Sequence, residues 1–109
     1  MSENRDTLER LYETIKSRKG GDPAVSHTAK LFAKGRAKIA QKMGEEAVEL
    51  AIAAVSETRE EVISESADLV FHLLVLWAEL GVTVEDVRAE LRRREGQSGI
   101  EEKKARQLT

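Results

Sequence analysis

A chain of 109 residues, 40% hydrophobic and 35% charged, has room for one core and no second domain. It contains no cysteine, which excludes disulfides, thiolate metal sites and thiol nucleophiles and fits a reducing compartment. The net charge of −2 hides an uneven distribution: from Pro23 to Gly44 there is no acidic residue, while Lys30, Lys34, Arg36, Lys38 and Lys42 are all present.

In chain order, the polar start MSENRDTLER has no apolar h-region, so no secretory signal is expected. Asp6, with Glu9 three residues on, reads as the N-cap of a first helix, and Leu8, Leu11, Tyr12 and Ile15 give that helix one apolar face. RKGGDP breaks it, because paired glycines followed by proline cannot continue a helix. Ser26 or Thr28 caps a short second helix, HTAKLFAKG, ended by Gly35. A long helix is expected from about Arg36 to Ser56, then the polar link SETRE, then a helix over roughly Glu60 to Leu80 stopped at Gly81. Thr83 with Asp86 caps a last helix carrying Val84, Val87 and Leu91.

Residues 1–95 thus form the domain, and 96–109 (GQSGIEEKKARQ and its flanks) read as a polar, mobile tail. The expected class is all-α, a bundle of four or five helices with an aliphatic core, since aromatics are only 4% of the chain. A bundle this small gains from association with a second copy. No run approaches the ~18 apolar residues of a membrane helix. The best, DLVFHLLVLWAELGV, is interrupted by Asp68, His72 and Glu79, and a cytoplasmic protein is expected.

On a helical wheel of roughly 100° per residue, Lys38, Lys42, Glu45, Glu46 and Glu49 share one stripe of the long helix. Ile39, Met43 and Leu50 flank it on one side, and Val48, Ile52 and Val55 on the other, which aims the stripe at a cleft between helices. Ala47, Ala51, Ala53 and Ala54 are small enough to admit a close neighbour. The following helix aligns Glu61, Glu65, Asp68 and His72, with an aliphatic or aromatic surface elsewhere, so it is buried by more than one partner.

Residues three apart on a helix stand side by side, so Glu46/Glu49 and Glu65/Asp68 are each a carboxylate pair. The 15 residues between the pairs let one helix turn back and face them across a cleft. Facing carboxylates make an oxygen-only site that suits Mg²⁺ or Mn²⁺, since Zn²⁺ prefers His or Cys. Either pair alone also fits a solvated helix face; the two together, each with apolar shoulders, point to a metal cleft. Glu45 is a further ligand, a base or rim, and the spacing does not decide among them. Lysines beside such a cluster suit a polyphosphate substrate, and i,i+4 salt bridges such as Lys42 with Glu46 account for Lys38 and Lys42 equally well. His72, one turn beyond Asp68, reads as a group that orients Asp68 behind the metal or as an ordinary core histidine. The short basic stretch, the few aromatics and the adjacent acid argue against nucleic acid.

SHTAKLFAKGRAKIAQKMGEEAVELAIAA and ESADLVFHLLVLWAELGVTVEDVRAEL closely resemble the phosphoribosyl-ATP pyrophosphohydrolases of histidine biosynthesis. That family belongs to the all-α nucleoside triphosphate pyrophosphohydrolases, whose signature is ExxE, a spacer, then ExxD. The resemblance runs from about Leu8 to Arg94 and implies Mg²⁺-dependent hydrolysis of phosphoribosyl-ATP to phosphoribosyl-AMP and pyrophosphate. It implies that Glu46, Glu49, Glu65 and Asp68 carry the metal with Glu45 close by, and that Lys34, Lys38 and Lys42 contact phosphate. Independently of the resemblance, whichever of Glu45 and Glu46 is left unligated is expected to accept the proton of the attacking water. The resemblance implies a homodimer too; without the cyclohydrolase module that some relatives carry fused, a single reaction step is expected. His27 departs from the pattern, standing where the family usually has tyrosine. Two other readings stand beside this one: a house-cleaning nucleoside triphosphate pyrophosphohydrolase of the same fold, and a non-catalytic helical dimerisation module.

Overall fold

The computed structural model describes residues 6–96 and 106–107, and within them the chain is helical with no strand. Five helices follow one another: α1 (Thr7–Arg18), α2 (His27–Lys34), α3 (Arg36–Ser56), α4 (Arg59–Leu80) and α5 (Val84–Arg94). The tail expected at 96–109 lies outside the described residues, apart from Gly96 and residues 106–107. Among the described residues, no single helix is long and apolar enough to cross a membrane.

Local side-chain chemistry sets the boundaries. Asp6 accepts from the Glu9 backbone N–H at 2.9 Å, and Ser26, not Thr28, caps α2 by accepting from the Ala29 N–H at 3.1 Å. Thr58 caps α4, accepting from the Glu61 N–H at 3.3 Å, so this helix begins one residue before the expected Glu60. Thr83 and Asp86 form a reciprocal capping box at the start of α5. Gly81 ends α4 in the left-handed conformation, with φ +76°, where a side chain would be strained. Gly35, at φ +94°, both ends α2 and begins α3. The lysines therefore do not share one continuous helix: Lys30 and Lys34 stand on α2, Lys38 and Lys42 on α3.

The two longest helices, α3 and α4, pack as an antiparallel hairpin across the short link at Glu57 and Thr58. The core sits at the open end of this hairpin. Tyr12 and Ile15 of α1, Leu31 and Phe32 of α2, Ile39 of α3, Leu74, Val75 and Ala78 of α4, and Val84 of α5 bury one another there. Polar ties reinforce the same end. The Tyr12 hydroxyl donates to the Val82 carbonyl at 2.6 Å, and Glu79 on α4 pairs with Lys19 and Arg36, each at 3.5 Å. Arg88 of α5 reaches Asp6 and Glu9 at the start of α1.

Towards the link the hairpin is bare on one side. Ala53 is fully buried between α3 and α4, yet Val48, Ile52 and Val55 are 60%, 56% and 85% exposed, and Ile63 of α4 is exposed as well. Because the core is concentrated at one end, Leu74→Ala should cost about 2–5 kcal/mol by denaturant titration, from lost transfer free energy and the cavity left behind.

Candidate active site

The α3/α4 hairpin brings acid from both helices to one place. Glu46, Glu49 and Glu65 each offer a carboxylate oxygen, and these atoms all lie within 4.8 Å of one another. Glu46 is only 6% exposed, and among the described residues neither its buried Oε2 nor the buried Oε2 of Glu65 has a hydrogen-bond partner. Two buried carboxylate oxygens without donors are a costly arrangement for a folded chain, and an oxygen-seeking divalent cation relieves that cost. Lys42 supplies a partial counter-charge, its Nζ 3.3 Å from Glu46 Oε1. The Glu49 carboxyl is held above its ordinary pKa, first by hydrogen bonding with Glu46, then by the Glu46 charge, with smaller contributions from desolvation and Glu65.

Asp68, the fourth expected ligand, is exposed and is not part of this three-carboxylate cluster. Its backbone carbonyl accepts from His72 Nδ1 at 2.8 Å. His72 therefore engages the Asp68 main chain and not its carboxylate. The ring is 8% exposed, stacks edge-on with Phe71, and leaves Nε2 buried without a partner among the described residues.

Beside the carboxylates runs a cleft of about 580 Å³ between α2 and α3, lined by His27, Leu31, Lys34, Lys38, Gln41, Lys42 and Glu45. The break at Gly35 does not scatter the lysines: Lys34, Lys38 and Lys42 converge here, while Lys30 does not line the cleft. Glu45 lies apart from the buried acid cluster and is held by Gln41, whose Nε2 donates to Glu45 Oε2 at 3.0 Å. Lys38 Nζ in turn donates to Gln41 Oε1 at 3.5 Å. A basic cleft that opens beside buried, underpartnered carboxylates suits an anionic substrate carrying a hard cation.

The sequence model described as phosphoribosyl-ATP pyrophosphohydrolase matches residues 8–95 of this chain. The chain belongs to that family. It is 60% identical over 106 residues to the phosphoribosyl-ATP pyrophosphatase of Paramagnetospirillum magneticum, covering 97% of each protein. It is 61% identical over 99 residues to the enzyme of that name from Gluconobacter oxydans, covering 91% of this chain and 74% of the relative. The corresponding protein of Paracoccus denitrificans is 60% identical over 99 residues, with 91% and 92% covered.

In this member of the phosphoribosyl-ATP pyrophosphohydrolase family, the residue that sequence reading missed is Gln41. The signal was present, since Gln41 lies three residues after Lys38 and four before Glu45, at the spacings that place helical side chains side by side. His27, noted only as a departure from the family pattern, lies on the cleft wall.

Repulsion within the acid cluster has a pH signature. A raised folded-state pKa at Glu49 means that its contribution to stability is full below the ordinary carboxylate range and is lost as pH rises through the raised value. In chelator, the metal-free protein should therefore gain thermal stability at pH 7 from Glu49→Gln, with the gain shrinking towards pH 4. Unfolding temperatures of the two proteins at both pH values, followed by circular dichroism, check this.

Proposed function

We propose that this chain hydrolyses phosphoribosyl-ATP to phosphoribosyl-AMP and pyrophosphate in histidine biosynthesis, with Mg²⁺ as its cofactor and Mn²⁺ as an effective substitute. Family membership makes it a hydrolase of phosphoric anhydride bonds. The observation that carries the metal dependence is the pair of buried, partnerless oxygens, Glu46 Oε2 and Glu65 Oε2, in one cluster with Glu49. Glu46, Glu49 and Glu65 would hold the cation, with Asp68 as the fourth carboxylate of the signature. When bound, the cation neutralises phosphate charge, polarises the phosphoryl group and lowers the pKa of a coordinated water.

The chain's own residues do the rest. Lys42 and Lys38 reach into the cleft and offset the charge that develops on the departing pyrophosphate. Of the two candidate bases, Glu46 is committed to the buried cluster, whereas Glu45 faces the cleft and is oriented by Gln41. Glu45 therefore accepts the proton of the attacking water as its oxygen bonds to phosphorus and the α–β bridging P–O bond breaks. Pyrophosphate release from phosphoribosyl-ATP should require Mg²⁺ or Mn²⁺. Glu65→Gln should abolish it, and Glu45→Gln should lower kcat by about 10²–10⁴-fold. Release in the presence of chelator, or near-normal turnover by either variant, would overturn this assignment.

The functional unit is a homodimer. Val48, Ile52 and Val55 recur at helical spacing on the bare side of α3, with exposed Ala47, Ala51 and Ala54 beside them, and such a stripe suits close approach by a second helix. Ile52→Glu should shift the protein from dimer to monomer in light scattering. A wild-type monomer at micromolar concentration would refute the dimer.

A further inference from the structure

Resting on phosphoribosyl-ATP as the substrate, the structure raises a second recognition problem. That molecule is ATP with a 5-phosphorylated ribose attached to N1 of the adenine, so it presents two anionic ends separated by a base and two sugars. The carboxylate cluster with Lys42 and Lys38 serves the triphosphate end. The other phosphate is the group that distinguishes this substrate from ATP, and it needs its own cations.

The cleft continues past that requirement. Beyond Lys38 the chain turns at Gly35, and the opposite wall is α2, which contributes Lys34, Leu31 and His27. These residues are spaced by three and four, so they form one face of α2, with an apolar side chain between two basic ones. Lys42 is paired with Glu46, and Lys38 donates to Gln41. Lys34 and His27 show no hydrogen bond or ion pair to any described residue, although they share the cleft with Lys38 and Lys42. Lys34 and His27 stand two turns apart on that face, both on the lining of the cleft. The cleft, at about 580 Å³, falls in the range of pockets that enclose whole small molecules.

We infer that the α2 wall of the cleft is the specificity subsite for the N1-phosphoribosyl group, with the exposed side chains of Lys34 and His27 binding its 5-phosphate. Lys38 and Lys42 are then left to the pyrophosphate being released. The three lysines that the sequence groups together are divided between two phosphates, and a histidine at position 27 serves recognition without requiring the ring of a tyrosine.

The nucleotides AMP and phosphoribosyl-AMP isolate this subsite, because the two differ only by the phosphoribosyl group. Calorimetric titration in Mg²⁺ should show the wild-type protein binding phosphoribosyl-AMP at least tenfold more tightly than AMP. In the double variant His27→Gln/Lys34→Gln that preference should fall to near parity, while AMP affinity changes less than about twofold. Both positions are exposed, and a thermal unfolding curve checks that the variant is folded. A preference that survives in the double variant, a wild-type protein with no preference, or an equal loss of affinity for both nucleotides would overturn the subsite. Wild-type pyrophosphate release from phosphoribosyl-ATP, measured alongside, separates the two readings: its absence refutes the activity, whereas its presence with an unmoved preference refutes the subsite alone.

Discussion

Like charges held close together in a partly dry cleft are the constraint around which this molecule is arranged. Glu46, Glu49 and Glu65 offer oxygens within 4.8 Å of one another, and among the described residues two of those carboxylates have a buried oxygen without a donor and only Lys42 forms an ion pair with the cluster. Such a cluster does not hold itself together. The hairpin of α3 and α4 imposes it, because a short link and packing along both helices set the three residues side by side. The stability needed for that comes from elsewhere in the chain. The core of Tyr12, Ile15, Ile39, Leu74 and Val75 lies towards the other end of the hairpin, where α1, α2 and α5 gather.

This division explains the lopsided surface. The apolar residues that close the bundle are spent at one end, so α3 near the link keeps Val48, Ile52 and Val55 in solvent. On α3 near the link, the described residues bury one side of the helix and leave an aliphatic stripe uncovered on the other. The same geometry leaves the acid cluster between a well-packed half and a bare half. There it is anchored by the first and still reachable from the cleft along α2 and α3.

Much of this could be read directly from residues because the signals are local. Asp6, Ser26, Thr58 and Thr83 cap helices by bonding to backbone groups three residues on, and no distant contact is needed to recognise that pattern. Periodicity likewise placed Glu46, Glu49 and Glu65 on facing stripes. What it could not supply was depth: on a wheel Asp68 is equivalent to Glu65, yet it is exposed and stands outside the cluster, while His72 turns to a main-chain carbonyl. Such differences depend on the rotation of α4 against α3 and on side-chain rotamers, and sequence spacing carries neither.

The sequence by itself determined the all-α class, most helix ends to within a residue or two, the family and the residue types of the site, since capping, periodicity and composition act over a few residues. Tertiary structure alone decided which of those residues meet. The turn at Gly35 sets α2 beside α3 and gathers Lys34, Lys38, Gln41 and Glu45 into one cleft with His27, leaving Lys30 outside. Packing of α4 on α3 decided which carboxylate oxygens lose water. Burial and long-range approach are properties of the packed chain, fixed by how its helices dock, and no pattern within a single helix contains them.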